Sequence, residues 1–277
     1  MSEKKVPPVF KKEDLFGKSR STLITGVLRP DKKRIDIWYD ETGTIRAAGP
    51  DTARDHRSEA DIILDGTEFL AMPGLVNAHT HAAMTLLRGY ADDMHLQQWL
   101  SEKIWPLEAH LTGDHVYWGT RLACLEMIRS GTVAFNDMYF FPAAAAEAAR
   151  NLGMRAALGM VVIEFPTAYA SDAADYISKG LAMRDRLRGD PLLSFCMAPH
   201  APYTVSDATL ERVVTLAAQL DLPIHIHIHE TRAEIEDSLR LHGLRCPVAQ
   251  DRARRLRAAG VRAGTLQGDP ACAAQAG

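Results

Sequence analysis

The sequence predicts an α/β fold in which about five β/α units follow one another along the chain. Short apolar segments alternate with longer segments of helical periodicity between residues 69 and 242. Histidines lie at the ends of three of the apolar segments, where parallel β/α barrels carry their active sites. Such alternation is typical of a parallel sheet or barrel. We therefore expect a parallel sheet or barrel with polar side chains at the carboxyl ends of its strands.

Each β/α unit is predicted from its own apolar pattern and its end signals. Five apolar segments are interpreted as strands: Phe69–His81, Gly131–Met138, Arg155–Ile163, Leu192–His200 and Pro223–Glu230. Helices are predicted over Asp93–His110 with a bend at Pro106, and over Asp114–Arg129, Pro142–Gly153, Ser171–Arg188 and Ser206–Leu220. Pro142 suits a first helical turn, and Ser206 suits an N-cap.

Three further segments lie outside these units. Residues 1–20 are charged and lack periodicity, which predicts a disordered tail. Residues 21–68 contain short β segments separated by turn residues. Residues 243–277 are rich in Arg, Ala and Gly and contain no aromatic residue, which predicts a partly helical or disordered tail. Residues 69–242 are thus expected to carry the function.

Composition excludes several classes of protein. A net charge of -3 and the lack of a basic stripe argue against nucleic-acid binding. The sequence has no apolar run long enough for a membrane span and no signal-peptide pattern, so we expect a cytoplasmic protein that does not bind membranes. Its four cysteines are widely spaced and form no C-x-x-C motif, which argues against a disulfide framework or a Cys₄ zinc site.

The segment His79-Thr80-His81 is the first candidate metal site. Residues i and i+2 of a strand point to the same side, so the two imidazoles lie about 6–7 Å apart on one face. Two neutral imidazoles so placed can occupy two corners of a tetrahedral metal site. Surface strands also carry such pairs by chance, so the H-x-H motif alone leaves both interpretations open.

A second group of histidines lies on the fifth apolar segment. His225, His227 and His229 alternate along it, so all three are predicted to face the same side. Periodicity alone cannot choose a metal ligand among them. A single buried histidine is usually a hydrogen-bonded core residue, and His225, predicted to lie deepest, fits that role best.

The motifs also resemble a known family. PGLVNAHTH followed by LLRGYADD, together with APHAPY, resembles the amidohydrolase superfamily, and most closely its deaminases of 5-methylthioadenosine and S-adenosylhomocysteine and the related chlorohydrolases. The resemblance covers about residues 45–242. It implies a metal-dependent (β/α)₈ barrel of TIM type, with residues 21–68 forming part of a small β-sandwich beside it.

The resemblance also implies a reaction and its metal ligands. The reaction would be hydrolytic deamination of 5-methylthioadenosine, S-adenosylhomocysteine or adenosine, giving an inosine-type product and ammonia. A related chlorohydrolase and a guanine or cytosine deaminase are alternatives that would keep the same ligands. His79, His81 and His227 would bind the metal. Imidazole nitrogen suits zinc, and iron and nickel accept the same ligands.

Three further residues receive roles from the resemblance, and each has a simpler alternative. Glu230 would be catalytic, moving a proton between water and the purine ring. Alternatively, its carboxylate would only be a favourable charge at the N-terminus of a helix that begins at Thr231. Glu108 and His200 would bind the substrate. Without the resemblance, Glu108 would be a solvated helix charge and His200 a structural histidine. Met84, Trp99 and Trp105 fit either an apolar pocket or ordinary core packing.

The chain departs from the family pattern after the fifth segment. A complete member has three more β/α units, which carry another histidine and a metal-binding aspartate. Because neither motif follows here, we expect an incomplete barrel, and we hypothesise a truncation or a frameshift near residue 243. An inactive remnant with residual metal binding is therefore an alternative function. Oligomers are common in the family, so a homo-oligomer is compatible with the resemblance.

Overall fold

The computed structural model describes residues 20–243, which divide into two compact units at Gly74 and Leu75. The predicted tails lie outside the described residues, apart from Arg20 and Gly243. Cys246 and Cys272 lie outside them as well, whereas Cys124 and Cys196 are buried free thiols. No helix within residues 20–243 is both long enough and apolar enough to cross a membrane.

The first unit contains one four-stranded sheet. Its strands are β1 (Thr22–Leu28), β2 (Arg34–Tyr39), β3 (Ile45–Gly49) and β4 (Ile62–Asp65). The spatial order is β3-β2-β1-β4, with β1 and β4 parallel and the other pairs antiparallel. Short helices at Thr52–His56 and Arg57–Glu59 lead from β3 to β4. The short β segments predicted over residues 21–68 are thereby confirmed, while their place in a β-sandwich stays a prediction.

The predicted first barrel strand, Phe69–His81, is too long at its start. Leu28 donates its N–H to the carbonyl of Phe69 at 2.9 Å, and Ala71 donates its N–H to the carbonyl of Leu28 at 2.8 Å. These residues therefore pair within the first unit. Pro73 has no N–H to donate, and together with Gly74 it ends the apolar run, so the next strand begins only at Leu75.

The second unit is built on a parallel sheet. It contains β5 (Leu75–Thr80), β6 (Thr132–Asp137), β7 (Arg155–Val162) and β8 (Leu193–Pro199), in the spatial order β5-β6-β7-β8. Every neighbouring pair is parallel. This arrangement confirms the predicted α/β class, and within residues 20–243 the sheet does not close into a complete barrel.

Helices connect the strands of this sheet. A 3₁₀ helix at Ala82–Leu87 follows β5, and the longer helices are Gly113–Arg129, Pro142–Asn151, Ala173–Leu187, Asp207–Leu220 and Arg232–His242. Four of the five are capped by a side chain that accepts an N–H from the first turn; the caps are Thr112, Asp172, Ser206 and Thr231. The core beneath them includes Phe135, Leu158, Met160, Tyr176 and Met197.

The predicted helix Asp93–His110 is shorter and contains a π turn. It runs as Leu96–Trp99, a π segment Leu100–Ile104, and Trp105–Glu108. Trp105 donates its N–H to the carbonyl of Leu100, five residues earlier. Pro106 has no N–H for the usual helical bond, so the wider turn just before it accommodates the break that the sequence predicts as a bend.

The predicted fifth strand, Pro223–Glu230, forms only one parallel bridge, between Met197 and Ile224. Its backbone remains attached to β8, because His227 donates its N–H to the carbonyl of His200 at 3.0 Å. Regular alternation ends at His229, whose φ of 62° is left-handed and incompatible with a strand. Within residues 20–243 no further strand pairs with this segment.

Candidate active site

Three imidazoles meet at the carboxyl end of the parallel sheet. His79 lies near the end of β5, His81 follows that strand, and His227 lies on the extended segment beside β8. One nitrogen from each lies within 4.8 Å of the other two, and the Nε2 atoms of His79 and His227 are 3.2 Å apart. The fold thus brings together the three residues predicted as metal ligands, and of the three alternating histidines His227 is the one in this cluster.

The surroundings of these imidazoles favour the neutral form that binds metals. Burial lowers the pKa of His79, and it lowers the pKa of His81 to about 4. Burial and the neighbouring imidazoles lower the pKa of His227 to about 2. The Nδ1 atom of His227 is buried and forms no hydrogen bond in the described part of the chain. A buried polar atom without a partner is costly, which fits a site that receives a ligand.

Hydrogen bonds orient two of the imidazoles. The Nδ1 atom of His81 lies 2.6 Å from the carbonyl oxygen of Met138, so Nδ1–H donates and Nε2 keeps a free lone pair. The Nδ1 atom of His79 lies 2.6 Å from Nε2 of His225. Next to His81, Ala82 donates its N–H to the buried carboxylate of Asp137 at 2.7 Å. The carboxyl end of β6 thereby fixes the backbone and the ring at His81.

His200 follows β8 and faces the same site. Its ring centroid lies 5.0 Å from that of His227, and its Nδ1 atom is 2.8 Å from the hydroxyl of Thr204. Burial lowers the pKa of His200 to about 4, so this imidazole is also neutral near pH 7. His200 is therefore placed to make hydrogen bonds in the cavity rather than to carry charge.

Glu230 lines the cavity and lies directly after the bend at His229. Tyr203 donates its hydroxyl to Oε2 of Glu230 at 2.7 Å, and burial raises the pKa of this carboxyl. The carboxylate of Glu234 accepts the N–H groups of both His229 and Glu230, at 2.8 and 3.0 Å. Thr231 caps the helix that follows, because its hydroxyl accepts the N–H of Glu234. Glu230 lies directly before this helix, so the alternative role as a charge at the helix N-terminus stays open.

Glu108 is buried, which excludes the solvated helix charge that the sequence left open. Tyr139 donates its hydroxyl to Oε1 of Glu108 at 2.8 Å, and both residues line the cavity. Burial raises the pKa of Glu108 to about 7. A carboxyl group with this pKa changes between donor and acceptor near neutral pH.

A cavity of about 280 Å³ connects these groups. Its wall is mostly apolar and includes Met84, Trp99 and Trp105, for which the sequence left an apolar pocket and ordinary core packing as alternatives. Trp105 packs against Phe165, with ring centroids 5.6 Å apart. His81, His200, His227, Glu108 and Glu230 supply the polar groups of the wall. An apolar pocket with a few convergent polar groups is typical of a small-molecule site.

Sequence reasoning missed the residues that support this site. Tyr139 and Tyr203 hydrogen-bond to the two cavity carboxylates, and Asn136 contacts His225. Each lies at or just beyond the carboxyl end of a parallel strand, which is the one signal that could have indicated them. Glu234 could have been found from the T-x-x-E capping pattern that begins at Thr231.

The chain is similar in sequence to known deaminases. The chain is 61% identical over 234 residues to a 5'-deoxyadenosine deaminase of Methanospirillum hungatei, covering 84% of this chain and 52% of the relative. It is 51% identical over 193 residues to a 5-methylthioadenosine/S-adenosylhomocysteine deaminase of Teredinibacter turnerae, covering 69% and 43%. The chain therefore spans about half the length of these relatives.

A solved structure and a family model match as well. The crystal structure of an adenosine deaminase from Xanthomonas campestris with bound zinc aligns with a TM-score of 0.76 and 41% identity, over 87% of this chain and 55% of the other. The amidohydrolase family model matches residues 70–265, which include the three clustered histidines and extend past residue 243. With most of its length matched, the chain belongs to the amidohydrolase family.

Proposed function

We propose that the protein is a metal-dependent deaminase of adenosine-type nucleosides, with residues 75–243 supplying its metal and substrate groups. The observation that carries this proposal is the meeting of His79, His81 and His227 beside a cavity that also contains Glu230. The relatives named above are deaminases of 5'-deoxyadenosine and of 5-methylthioadenosine. Deamination would give an inosine-type product and ammonia.

The three histidines suit zinc. Neutral imidazoles are good zinc ligands, and a zinc site with three protein ligands leaves a position for water. Bound zinc would supply the acidity that makes this water a nucleophile near neutral pH. Iron and nickel accept the same ligands, so we propose zinc because the Xanthomonas campestris adenosine deaminase contains it. We also propose a cytoplasmic location, where nucleosides are available.

Glu230 is the proposed proton carrier. Its carboxylate would take a proton from the attacking water and deliver it to a ring nitrogen of the purine, which prepares the C6 amino group to leave as ammonia. Burial raises its pKa, which brings the proton affinity closer to that required near neutral pH. The hydroxyl of Tyr203 holds one carboxylate oxygen and so leaves the other for this transfer.

Glu108 and His200 are the proposed substrate-binding residues. Glu108 would accept hydrogen bonds from the ribose hydroxyls, and His200 would contact the purine. The cavity wall contains two carboxyl groups and, among the described residues, no lysine or arginine. A phosphate group would be repelled there, whereas an apolar 5' substituent would contact Trp99, Trp105 and Met84. We therefore propose as substrates nucleosides that lack a 5' phosphate, which include adenosine, 5-methylthioadenosine and S-adenosylhomocysteine.

The test is an assay of the zinc-loaded chain with adenosine, 5'-deoxyadenosine, 5-methylthioadenosine and adenosine 5'-monophosphate. Chromatography would separate each inosine-type product. We expect the three nucleosides to be deaminated and the monophosphate to react at least about 100-fold more slowly. We expect Glu230→Gln to lower kcat by about 100-fold or more, because the proton carrier is lost.

Glu236→Gln is the matched control, since Glu236 lies exposed on the helix that follows Glu230. This variant should retain the wild-type rate. Failure of the zinc-loaded wild-type chain to deaminate any of the nucleosides would refute the proposed activity. Equal rates for Glu230→Gln and the wild type would refute the role of Glu230.

A further inference from the structure

We propose that His225 and Asn136 act as positioning residues that hold the proton of His79 on Nδ1 and so keep its Nε2 atom available to the metal. This inference rests on the proposed function, because it takes His79 to be a metal ligand. The three side chains form a continuous chain of contacts leading from the metal site toward β6 and β8. Sequence reasoning gave His225 only a hydrogen-bonded core role.

The contacts in this chain are short. The Nδ1 atom of His79 lies 2.6 Å from Nε2 of His225, and the two rings stack with centroids 4.9 Å apart. The Nδ1 atom of His225 lies 2.9 Å from Nδ2 of Asn136. His225 is buried, and the other end of the Asn136 amide faces the thiol of Cys196 at 3.8 Å. Both nitrogens of His225 therefore have a partner.

The proton positions follow from the ligand atom. The Nε2 atom of His79 faces Nε2 of His227, so Nε2 is the atom directed into the site. To bind a metal this atom must carry no proton, and a neutral His79 must then carry its proton on Nδ1. That N–H donates to Nε2 of His225. His225 in turn carries its own proton on Nδ1 and requires an acceptor there.

Asn136 can supply this acceptor. A side-chain amide presents either Nδ2 or Oδ1 after a 180° rotation, without a change of shape. When Oδ1 faces His225, the chain runs from His79 through His225 to Asn136 and leaves Nε2 of His79 free. In the structure Nδ2 faces His225 and Oδ1 faces Cys196. With that orientation the direction is reversed and a proton lies on Nε2 of His79. The metal-binding form therefore requires the Asn136 amide to be rotated by 180°, which places Oδ1 beside His225.

The test compares zinc affinity of the full chain with that of Asn136→Asp and Asn136→Leu. Aspartate keeps the shape and offers only acceptor oxygens, whereas leucine keeps the approximate volume and offers none. We expect Asn136→Asp to bind zinc within about 3-fold of the wild type or more tightly, and Asn136→Leu to bind about 10- to 100-fold more weakly. Competition with a chromophoric chelator would give the dissociation constants.

A second measurement requires no variant. In the zinc-bound wild-type chain with ¹⁵N-labelled histidine, we expect His225 to give the nitrogen shifts of the Nδ1–H tautomer. His225 is the diagnostic residue, because zinc on Nε2 fixes the tautomer of His79 by itself, whereas a role limited to packing would not fix the tautomer of His225. Asn151→Asp and Asn151→Leu are the control pair, because Asn151 is exposed on a helix surface and its side-chain amide donates to the hydroxyl of Tyr117 at 3.1 Å. Both control variants should bind zinc with wild-type affinity.

Each outcome decides the proposal. Unchanged affinity in a folded Asn136→Leu variant, or equal losses in the aspartate and leucine variants, would overturn it. An Nε2–H tautomer on His79 or His225 in the zinc-bound chain would overturn it as well. A wild-type chain that binds no zinc would overturn this inference together with the metal site, whereas zinc binding without deamination would refute only the proposed reaction.

Discussion

Glu108 differs from an ordinary helix glutamate through its surroundings. Its side chain is only 8% exposed, beneath the hydroxyl of Tyr139. Loss of hydration disfavours the charged carboxylate, and the single hydrogen bond from Tyr139 offsets only part of this loss, so the pKa rises to about 7. The charged form that would accept hydrogen bonds from substrate is therefore destabilising for the folded chain.

This conflict predicts a pH dependence of stability. The pKa of Glu108 is about 7 in the folded chain and about 4.5 when unfolded, so its contribution is most favourable below pH 4.5 and is lost as pH rises through 7. Glu108→Gln removes this titration. We expect the unfolding free energy of the wild type, relative to the variant, to fall by up to about 3 kcal/mol between pH 4.5 and pH 8.

Chemical denaturation at several pH values measures this difference. Glu211→Gln, which changes an exposed glutamate on another helix, is the control and should show no comparable change. A difference between wild type and Glu108→Gln that stays constant from pH 4.5 to pH 8 would contradict the prediction.

At the scale of elements, the helix Gly113–Arg129 packs behind the candidate metal site. It packs against the 3₁₀ helix Ala82–Leu87, which begins directly after His81. A Cβ atom added at Gly119 would lie 2.5 Å from the carbonyl oxygen of Ala83. The two helices can approach this closely only because Gly119 has no side chain.

We therefore expect Gly119→Ala to displace the 3₁₀ helix and to lower the unfolding free energy by about 1–3 kcal/mol. Zinc affinity should fall as well, because the displaced backbone begins next to His81. Thermal unfolding and chelator competition would measure the two effects. Gly113→Ala, on the same helix with its nearest contact 3.9 Å away, should leave both quantities close to wild type. Equal behaviour of the two variants would contradict this interpretation.

The strands also show which features of the fold the sequence alone predicts. Four of the five predicted strands correspond to strands of the parallel sheet. β7 and β8 are predicted because each is a mostly apolar run, as buried parallel strands require, whereas β5 and β6 end in polar residues and each has only a short apolar run. The end of the fifth is not predictable in this way, because His229 takes a left-handed backbone that the carboxylate of Glu234 holds through two hydrogen bonds. A pattern of alternating residues contains no information about that contact.

At the scale of the whole molecule, some residues of the candidate site are predictable from the sequence and others only from the fold. Motif and strand position bring His79, His81 and Glu230 to one end of the sheet. The supporting residues Asn136 and Tyr139 become recognisable only when β6 is placed beside β5, because their contacts join residues distant in sequence. Sequence reasoning thus finds the groups proposed to bind metal, whereas the packed fold identifies the groups that orient them.

Zinc should stabilise the whole chain, because a ligand that binds only the folded state shifts the unfolding equilibrium. Zinc at about 100 times its dissociation constant contributes about 2.7 kcal/mol. For a domain of this size we expect Tm to rise by about 5–10 °C. A chelator should reverse the shift, and His227→Gln should abolish it. Differential scanning calorimetry measures the shift, with His110→Gln, an exposed histidine, as control.

An equal zinc-induced shift in His227→Gln and in the wild type would show that zinc stabilises the chain from another position. A shift in the wild type and in His110→Gln, but not in His227→Gln, would agree with the proposed ligands.

The Nε2 atoms of His79 and His227 are 3.2 Å apart, although the two residues are 148 positions apart in sequence. Their meeting is a long-range contact, so the loop between them must be ordered before the site exists. A partly folded chain therefore has no such centre, and zinc can act only after β5 to β8 have assembled. Zinc uptake should accordingly be a late event in refolding, so its rate reports when the parallel sheet is complete.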